Sequence, residues 1–288
     1  MILARLEGLI SARPAAARVI CRGGAEARPD PDPSAMPLEI RDARALQDRA
    51  GSAAATFADY GFALLDHRSA VRHWRPDGDT QDELARVYHP EIDALLRETL
   101  FAGQRIEIDQ RLGPVFRGGP EDSIYGKMVH HDYGPTARDF ALYLERTGSA
   151  EAARDWQAQY ERAEVAGCMV ISCWRTIGMR EPLRHLPLAI CDPGTVAMAD
   201  VVTFADAVPG TRHIGGLRFN PEQLWYHYPE MTSDELLAFK VFDCRKDDPG
   251  PARLRSVFHA AVDDPAMPAD AERRHSFEHR VMVTVLRD

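Results

Sequence analysis

A histidine and an aspartate two residues apart, His130 and Asp132, could together bind a metal ion. Residues i and i+2 of a β-strand point to the same face with Cα atoms roughly 6.5 Å apart, so both side chains can reach one ion. The residue between them, His131, is expected to point to the opposite face. Because a chain with 11 histidines contains such pairs by chance, the pair predicts a metal site only together with a third ligand.

His259 is the predicted third ligand, because an arginine and a serine follow it on the next predicted strand. Arg274 follows His259 by fifteen residues and shares a polar strand face with Ser276. A guanidinium and a hydroxyl together suit the distal carboxylate of a small diacid. Two histidines and one carboxylate leave three positions on the metal open, which is typical of non-haem Fe(II) oxygenases. This order of residues predicts Fe(II) as the metal and 2-oxoglutarate as the diacid.

Two other histidines, His213 and His227, are alternative third ligands. His227 lies 95 residues after Asp132, which is a tolerable spacing. No arginine and serine follow it at a suitable distance, so packing on an aromatic strand is the simpler interpretation. A second histidine–carboxylate pair, His89 with Glu91, contains a proline and begins a helical pattern, which indicates a cap or a surface role.

Arg175, Tyr226 and Tyr228 are candidate substrate-binding residues. Arg175 follows an apolar run, and a buried arginine usually has an anionic partner. That partner is either a structural carboxylate or the substrate or cosubstrate. The two tyrosines alternate along a predicted strand, where they either pack in the core or form a pocket wall.

The composition excludes several classes of protein. With 45% hydrophobic and 27% charged residues, the chain is an ordinary globular protein. Its net charge of −9 argues against bulk binding to nucleic acid or anionic membranes, and no apolar stretch is long enough to span a membrane. Five cysteines without a C-x-x-C sequence predict reduced thiols in a cytoplasmic protein. The sequence also lacks nucleotide-binding glycine motifs and the G-x-S-x-G of α/β-hydrolases.

The segments that carry the candidate ligands have the sequence pattern of a mainly β protein with flanking helices. Short strand candidates separated by turn residues recur from residue 105 to residue 286, and Glu278 and Arg280 continue the polar face of the last one. Apolar residues at helical spacing predict helices over 43–57, 80–103 and 136–165. This pattern favours a double-stranded β-helix, the jelly-roll or cupin-like fold.

Residues 1–37 are expected to form a mobile leader rich in proline and arginine. Gly23 and Gly24 are followed by prolines at every second position from Pro29 to Pro33, which favours a stiff segment that cannot pack. A single jelly-roll oxygenase domain with helical decoration is predicted over 38–288.

Four segments of the chain carry a joint pattern. They are H-x-D-Y at His130–Tyr133, W-R with P-L-A-x-C-D between Trp174 and Asp192, W-Y-x-x-P-x-M-T with D-E and K-x-F-D between Trp225 and Asp243, and H-x-A with D-P at His259–Pro265. Together they resemble the asaB-type hydroxylase/desaturase family of Fe(II)/2-oxoglutarate-dependent oxygenases, which has cephem-hydroxylase-like and gibberellin-desaturase-like members. The resemblance extends from about residue 38 to the end, although the family's R-E-S reads Arg274-His275-Ser276 here.

The resemblance implies an Fe(II)/2-oxoglutarate-dependent dioxygenase that uses O2 to hydroxylate or desaturate a small secondary metabolite. It implies that His130, Asp132 and His259 bind Fe(II), and that Arg274 and Ser276 bind 2-oxoglutarate. Two other functions are compatible with the same residues. One is a non-catalytic cupin-like protein that binds a small molecule, and the other is a metal-dependent hydrolase or isomerase that does not use 2-oxoglutarate.

Overall fold

The computed structural model describes residues 1–4, 6, 9, 38–74, 78–118, 128–203, 215–250 and 253–287. The strands in these residues are β1 (Ile2–Ala4), β2 (Leu38–Asp42), β3 (Phe62–Asp66), β4 (Ile106–Asp109), β5 (Pro114–Arg117), β6 (Val165–Thr176), β7 (Leu188–Cys191), β8 (Val201–Thr203), β9 (Gly215–Leu217), β10 (Trp225–His227), β11 (Glu235–Arg245), β12 (His259–Ala261) and β13 (Ser276–Leu286). The helices are α1 (Ala43–Ala50), α2 (Ala53–Tyr60), α3 (Gly78–Glu83), α4 (His89–Thr99), α5 (Ala137–Thr147) and α6 (Ala150–Glu161), with a π-helical segment at Leu84–Tyr88 and 3₁₀ turns at Pro193–Thr195 and Met198–Asp200.

The two main sheets face each other and enclose the core, while β8 and β9 form a separate two-stranded sheet. The larger sheet has the strand order β3-β11-β6-β13-β4, with β5 also paired to β13, and the smaller sheet has the order β1-β2-β10-β7-β12. One buried apolar cluster joins them, in which Trp174 and Phe239 of the larger sheet accompany Ile190 and Tyr226 of the smaller one. The predicted mainly β, jelly-roll fold with flanking helices is therefore confirmed.

Alternation of side chains gives the larger sheet two buried faces. In β13, Phe277 and Val281 pack with helical residues, whereas Met282 belongs to the cluster between the sheets. In β6, Ile171 packs with the helices and Trp174 lies between the sheets. We call the face towards the smaller sheet the inner face and the face towards the helices the outer face.

Two of the expected long helices are each interrupted by a cap. The helix expected over 43–57 is α1 and α2, because Gly51 adopts a left-handed φ of 82° that ends α1 and Ser52 then caps α2. The helix expected over 136–165 is α5 and α6, with Ser149 capping the second. None of the helices in the described ranges is both long and apolar enough to cross a membrane.

The first residues of the chain do not form the expected mobile leader. Strand β1 pairs antiparallel with β2, with Ile2 opposite Ile40, and Ile2 and Ala4 are buried. Their apolar side chains explain the difference, because they extend the smaller sheet by one strand. Apart from residues 6 and 9, residues 5–37 lie outside the described residues, so the leader stays a prediction for them.

Candidate metal centre

The backbone brings His130 and His259 side by side. The two residues pair antiparallel, with the amide of His130 donating to the carbonyl of His259 over 3.2 Å and the reverse bond spanning 3.1 Å. Residues that are directly opposite in this way point their side chains to the same face, and the two imidazole centroids lie 4.3 Å apart. His259 belongs to β12, so the segment around His130 continues the smaller sheet beyond that strand.

Asp132 completes a group of three possible metal ligands. Ligand atoms of His130, Asp132 and His259 all lie within 4.8 Å of one another, and Nε2 of His130 is 3.6 Å from Oδ1 of Asp132. Atoms this close can converge on one ion, and two histidines with one carboxylate suit Fe(II). His131 instead contacts the hydroxyl of Ser256 through Nε2 at 2.7 Å, away from the other two imidazoles.

The two imidazoles are prepared for a metal ion. Nδ1 of His130 donates to the carbonyl of Met128 over 2.7 Å, which leaves the lone pair of Nε2 available to a ligand. Nδ1 of His259 is buried and has no hydrogen-bond partner within the described residues. A buried polar atom without a partner fits a side chain that binds a ligand, so the residues of this site fit a metal ion.

Burial and charge set the protonation of two of the three side chains. Burial alone would raise the pKa of Asp132, but the guanidinium of Arg280 and the imidazoles hold that pKa well below its usual range. Burial, followed by the neighbouring His130, lowers the pKa of His259 to about 4. At neutral pH Asp132 is therefore ionised and His259 is neutral, which are the forms that bind a metal ion.

Arg274 and Ser276 lie in the interior, where β13 begins. Arg274 is 2% exposed, and its guanidinium lies 5.6 Å from the ring centroid of Trp174 and donates to the carbonyl of Leu186. Ser276 is fully buried, and its hydroxyl has no hydrogen-bond partner in the described part of the chain. A buried cation therefore lies close in the chain to a hydroxyl that can donate to a ligand.

Arg175 is also buried, but it lies on the other face of the larger sheet. It follows Trp174 in β6 and therefore points to the outer face. There its guanidinium contacts Nδ1 and the carbonyl of His67 at 3.0 Å each, and the carbonyl of Ser233, and it lies 5.5 Å from the ring centroid of Trp74. These neutral partners lie on the far side of the sheet from the candidate ligands, so they disfavour the predicted substrate-binding role of Arg175.

Of the two candidate tyrosines, Tyr226 lies on the same face of the smaller sheet as His259. Both residues pair with Ile190 from opposite sides, so their Cα atoms are about 9.5 Å apart by the spacing of neighbouring strands. Tyr228 donates its hydroxyl to Oε1 of Gln47 over 2.7 Å. Packing against helix α1 therefore accounts for Tyr228, whereas a role as a pocket wall stays a prediction for Tyr226.

Of the two alternative histidines, His227 is not part of this group. His227 follows Tyr226 in β10 and so points to the other face of the smaller sheet, where burial lowers its pKa to about 4. His213 lies outside the described residues. His89 is the first residue of α4, but the N-cap residue is Tyr88, whose side chain makes no capping hydrogen bond. His89 is therefore not the expected cap; it is half-buried, and its ring stacks on that of His279 with centroids 4.8 Å apart.

Three polar residues reach the site from the inner face of the larger sheet, and their role was missed from the sequence. Nη2 of Arg280 lies 3.0 Å from Oδ2 of Asp132, and Nε of Arg280 donates to Oε1 of Glu278 over 2.8 Å. Ser172 donates to the same oxygen over 3.0 Å. Alternation along 276–280 indicated that Glu278 and Arg280 share a face with Ser276, but their contact with Asp132 depends on how the sheets meet.

The chain is similar to several known proteins. A family model described as an oxidoreductase/YMDC permease-like domain (YDMC) matches residues 19–284. Over 247 residues the chain is 28% identical to hydroxylase/desaturase efuI of Hormonema carpetanum, covering 77% of this chain and 76% of that protein. Over 170 residues it is 30% identical to Fe(II)/2-oxoglutarate-dependent dioxygenase nvfI of Aspergillus novofumigatus, covering 57% and 55% of the two proteins. The solved structure of the iron and alpha-ketoglutarate-dependent endoperoxidase NvfI is similar with a TM-score of 0.61 at 22% identity, covering 87% of this chain and 86% of that one, a likeness that supports the fold.

Proposed function

Because the chain belongs to the hydroxylase/desaturase family of Fe(II)/2-oxoglutarate-dependent oxygenases, we propose that His130, Asp132 and His259 bind the iron ion. The enzyme uses Fe(II) and 2-oxoglutarate, and it hydroxylates or desaturates a small molecule of secondary metabolism. The observation that carries the ligand assignment is the convergence of two imidazoles and one carboxylate within 4.8 Å. Three protein ligands on one side of the ion leave three positions for the other reactants.

The residues of this chain bind and orient, whereas the metal supplies the redox chemistry. When bound, Fe(II) allows O2 to decarboxylate 2-oxoglutarate oxidatively and to oxidise the substrate. Arg274 and Ser276 bind the distal carboxylate of 2-oxoglutarate, the arginine through charged N–H donors and the serine through its hydroxyl. Both side chains are buried, so the carboxylate exchanges water for these donors and binds in one orientation.

Tyr226 is the proposed residue on the substrate side of the site. Its ring is buried and lies 6.0 Å from that of Phe62 on the opposite sheet. An aromatic wall at this position would exclude water and limit the size of the substrate.

The other candidate functions have weaker support. The named relatives are a hydroxylase/desaturase and a dioxygenase, which favours catalysis over a cupin-like binding protein and oxidation over a hydrolase or isomerase. We further propose that residues 38–288 form one domain that acts in the cytoplasm on a small molecule, and not on nucleic acid or a membrane. The net charge of −9 and four buried free thiols in the described residues support this location and substrate class.

Two assays test the assignment without a known substrate. Anaerobic titration measures the affinity for Fe(II), and a separate assay with O2 measures the release of succinate from 2-oxoglutarate. His259→Ala should weaken Fe(II) binding by more than the roughly 10- to 100-fold that loss of an outer partner costs, and should abolish succinate release. His227→Gln is the matched control, because His227 is a buried histidine on the other face of the smaller sheet. If His227→Gln lost the metal while His259→Ala kept it, the third ligand would be misassigned.

A further inference from the structure

Arg280 lies between two carboxylates beside the candidate metal centre. Its Nε donates to Oε1 of Glu278 over 2.8 Å, and its Nη2 lies 3.0 Å from Oδ2 of Asp132. The second contact is an ion pair without hydrogen-bond direction, since Oδ2 has no hydrogen-bond partner among the described residues. All three side chains are at most 13% exposed, so water screens these charges weakly.

The guanidinium of Arg280 is itself held in place from the larger sheet. Ser172 pairs with Arg280 across β6 and β13 and donates its hydroxyl to Oε1 of Glu278 over 3.0 Å. The ring of Tyr133 lies 5.9 Å from the guanidinium carbon. Glu278 contacts the guanidinium at one edge and Tyr133 lies over one of its faces. These two contacts restrict the movement of the guanidinium relative to Asp132.

We propose that Arg280 is a positioning residue that orients Asp132 for metal binding, and that Glu278 and Ser172 hold Arg280 in place. This proposal rests on the iron site proposed above. The two oxygens of Asp132 have separate neighbours, because Oδ2 faces Arg280 and Oδ1 is 3.6 Å from Nε2 of His130. Asp132 thus presents a single oxygen, Oδ1, to the ion, which keeps the remaining positions open for 2-oxoglutarate and O2.

The effect of Arg280 on metal affinity separates positioning from simple charge. A positive side chain repels a nearby divalent ion, so charge alone predicts tighter metal binding when Arg280 is replaced by a neutral residue. Positioning predicts the opposite sign, because partners that orient a ligand typically contribute about 10- to 100-fold to metal affinity.

Calorimetric titration of Arg280→Gln with Mn(II) and the visible absorption of its Co(II) form test the proposal. We expect Mn(II) affinity to fall by about 10- to 100-fold and the Co(II) bands to change, since a released carboxylate coordinates differently. Arg245→Gln is the matched control, because Arg245 belongs to the same sheet and its Nε lies 2.9 Å from Asp243, which is not a proposed ligand. Unchanged or tighter Mn(II) binding by Arg280→Gln overturns the proposal.

Arg280→Lys provides a second test, which does not require the fold to tolerate the loss of a buried positive charge. A compact ammonium cannot contact both carboxylates as the guanidinium does, so positioning predicts weaker Mn(II) binding although the charge is unchanged. Glu278→Gln should also weaken binding, and it should add little in the Arg280→Gln background because Glu278 acts through Arg280. An equal loss in both backgrounds overturns that part of the proposal.

A ligand variant separates failure of this proposal from failure of the iron site. If the native protein and His259→Ala bind Mn(II) equally, the proposed iron site itself is wrong. If His259→Ala loses Mn(II) but Arg280→Gln and Arg280→Lys bind it as the native protein does, the iron site stands and only the role of Arg280 is refuted.

Discussion

The buried hydroxyl of Ser276 should lower the stability of the metal-free protein. Ser276 is fully buried, and its hydroxyl has no hydrogen-bond partner among the residues that the structure describes. A buried hydroxyl in this state costs about 1–3 kcal/mol in protein variants. Ser276→Ala removes the hydroxyl, so it should raise the free energy of unfolding by about 1 kcal/mol, which is about 2 °C in Tm for a chain of this size.

The same substitution should weaken the binding of 2-oxoglutarate. A hydrogen bond to a charged group contributes about 1.5–3 kcal/mol, so loss of the hydroxyl should raise the Kd for 2-oxoglutarate by about 10- to 150-fold. Binding should not be abolished, because Arg274 still supplies the charged contact. Ser276→Ala is therefore expected to be more stable and less able to bind the cosubstrate.

Urea unfolding of the metal-free protein and titration of the Mn(II)-loaded protein with 2-oxoglutarate measure the two effects. Ser172→Ala is the matched control for stability, because Ser172 is equally buried but donates its hydroxyl to Glu278 over 3.0 Å. Its loss should destabilise the protein by about 1 kcal/mol. If Ser276→Ala destabilised the metal-free protein as much as Ser172→Ala does, the hydroxyl of Ser276 would have a structural partner and the reasoning would be refuted.

Two further predictions concern residues outside the site. Burial, followed by the nearby His89, lowers the pKa of His279 to about 3, below its unfolded value of about 6.5. The free energy of unfolding should therefore fall as the pH drops from 6.5 towards 3, and urea titrations should show a shallower fall in His279→Gln. Arg175→Met should lower the free energy of unfolding by about 1–3 kcal/mol, since it leaves the carbonyls of His67 and Ser233 without this donor. Its KM for 2-oxoglutarate should be unchanged, and a raised KM would return Arg175 to the site.

The metal-ligand candidates could be predicted for two reasons. Two of them are close in sequence, and the third is followed by an arginine and a serine in an order that suits a 2-oxoglutarate site. His130 and Asp132 are two residues apart, and a strand brings such residues to one face. His259 is distant in sequence and was identified by the arginine and serine that follow it, not by any local pattern. Its position opposite His130 depends on the pairing of β12 with that segment, which the sequence does not specify.

Arg175 and Arg280 show why the remainder could not be predicted. Strand β6 is buried on both faces along nearly its whole length, so hydrophobicity does not alternate and the face of Arg175 cannot be inferred. Strand β13 does alternate, and its polar face was evident, but the partner of Arg280 belongs to a segment that the smaller sheet positions. A contact between two sheets depends on how the sheets pack, so the sequence positions of the two residues do not indicate it.

The proposed site depends on the register in which β13 pairs with β6. Glu278 and Arg280 lie on its inner face, while Phe277 and Val281 pack in the apolar layer under the helices. A slip of one residue against β6 would exchange the two faces, placing charged side chains under the helices and apolar ones beside Asp132. Burial of the outer face therefore disfavours that slip by several kcal/mol. The same burial directs Arg280 towards Asp132, so the core that stabilises the fold also orients the proposed metal ligand.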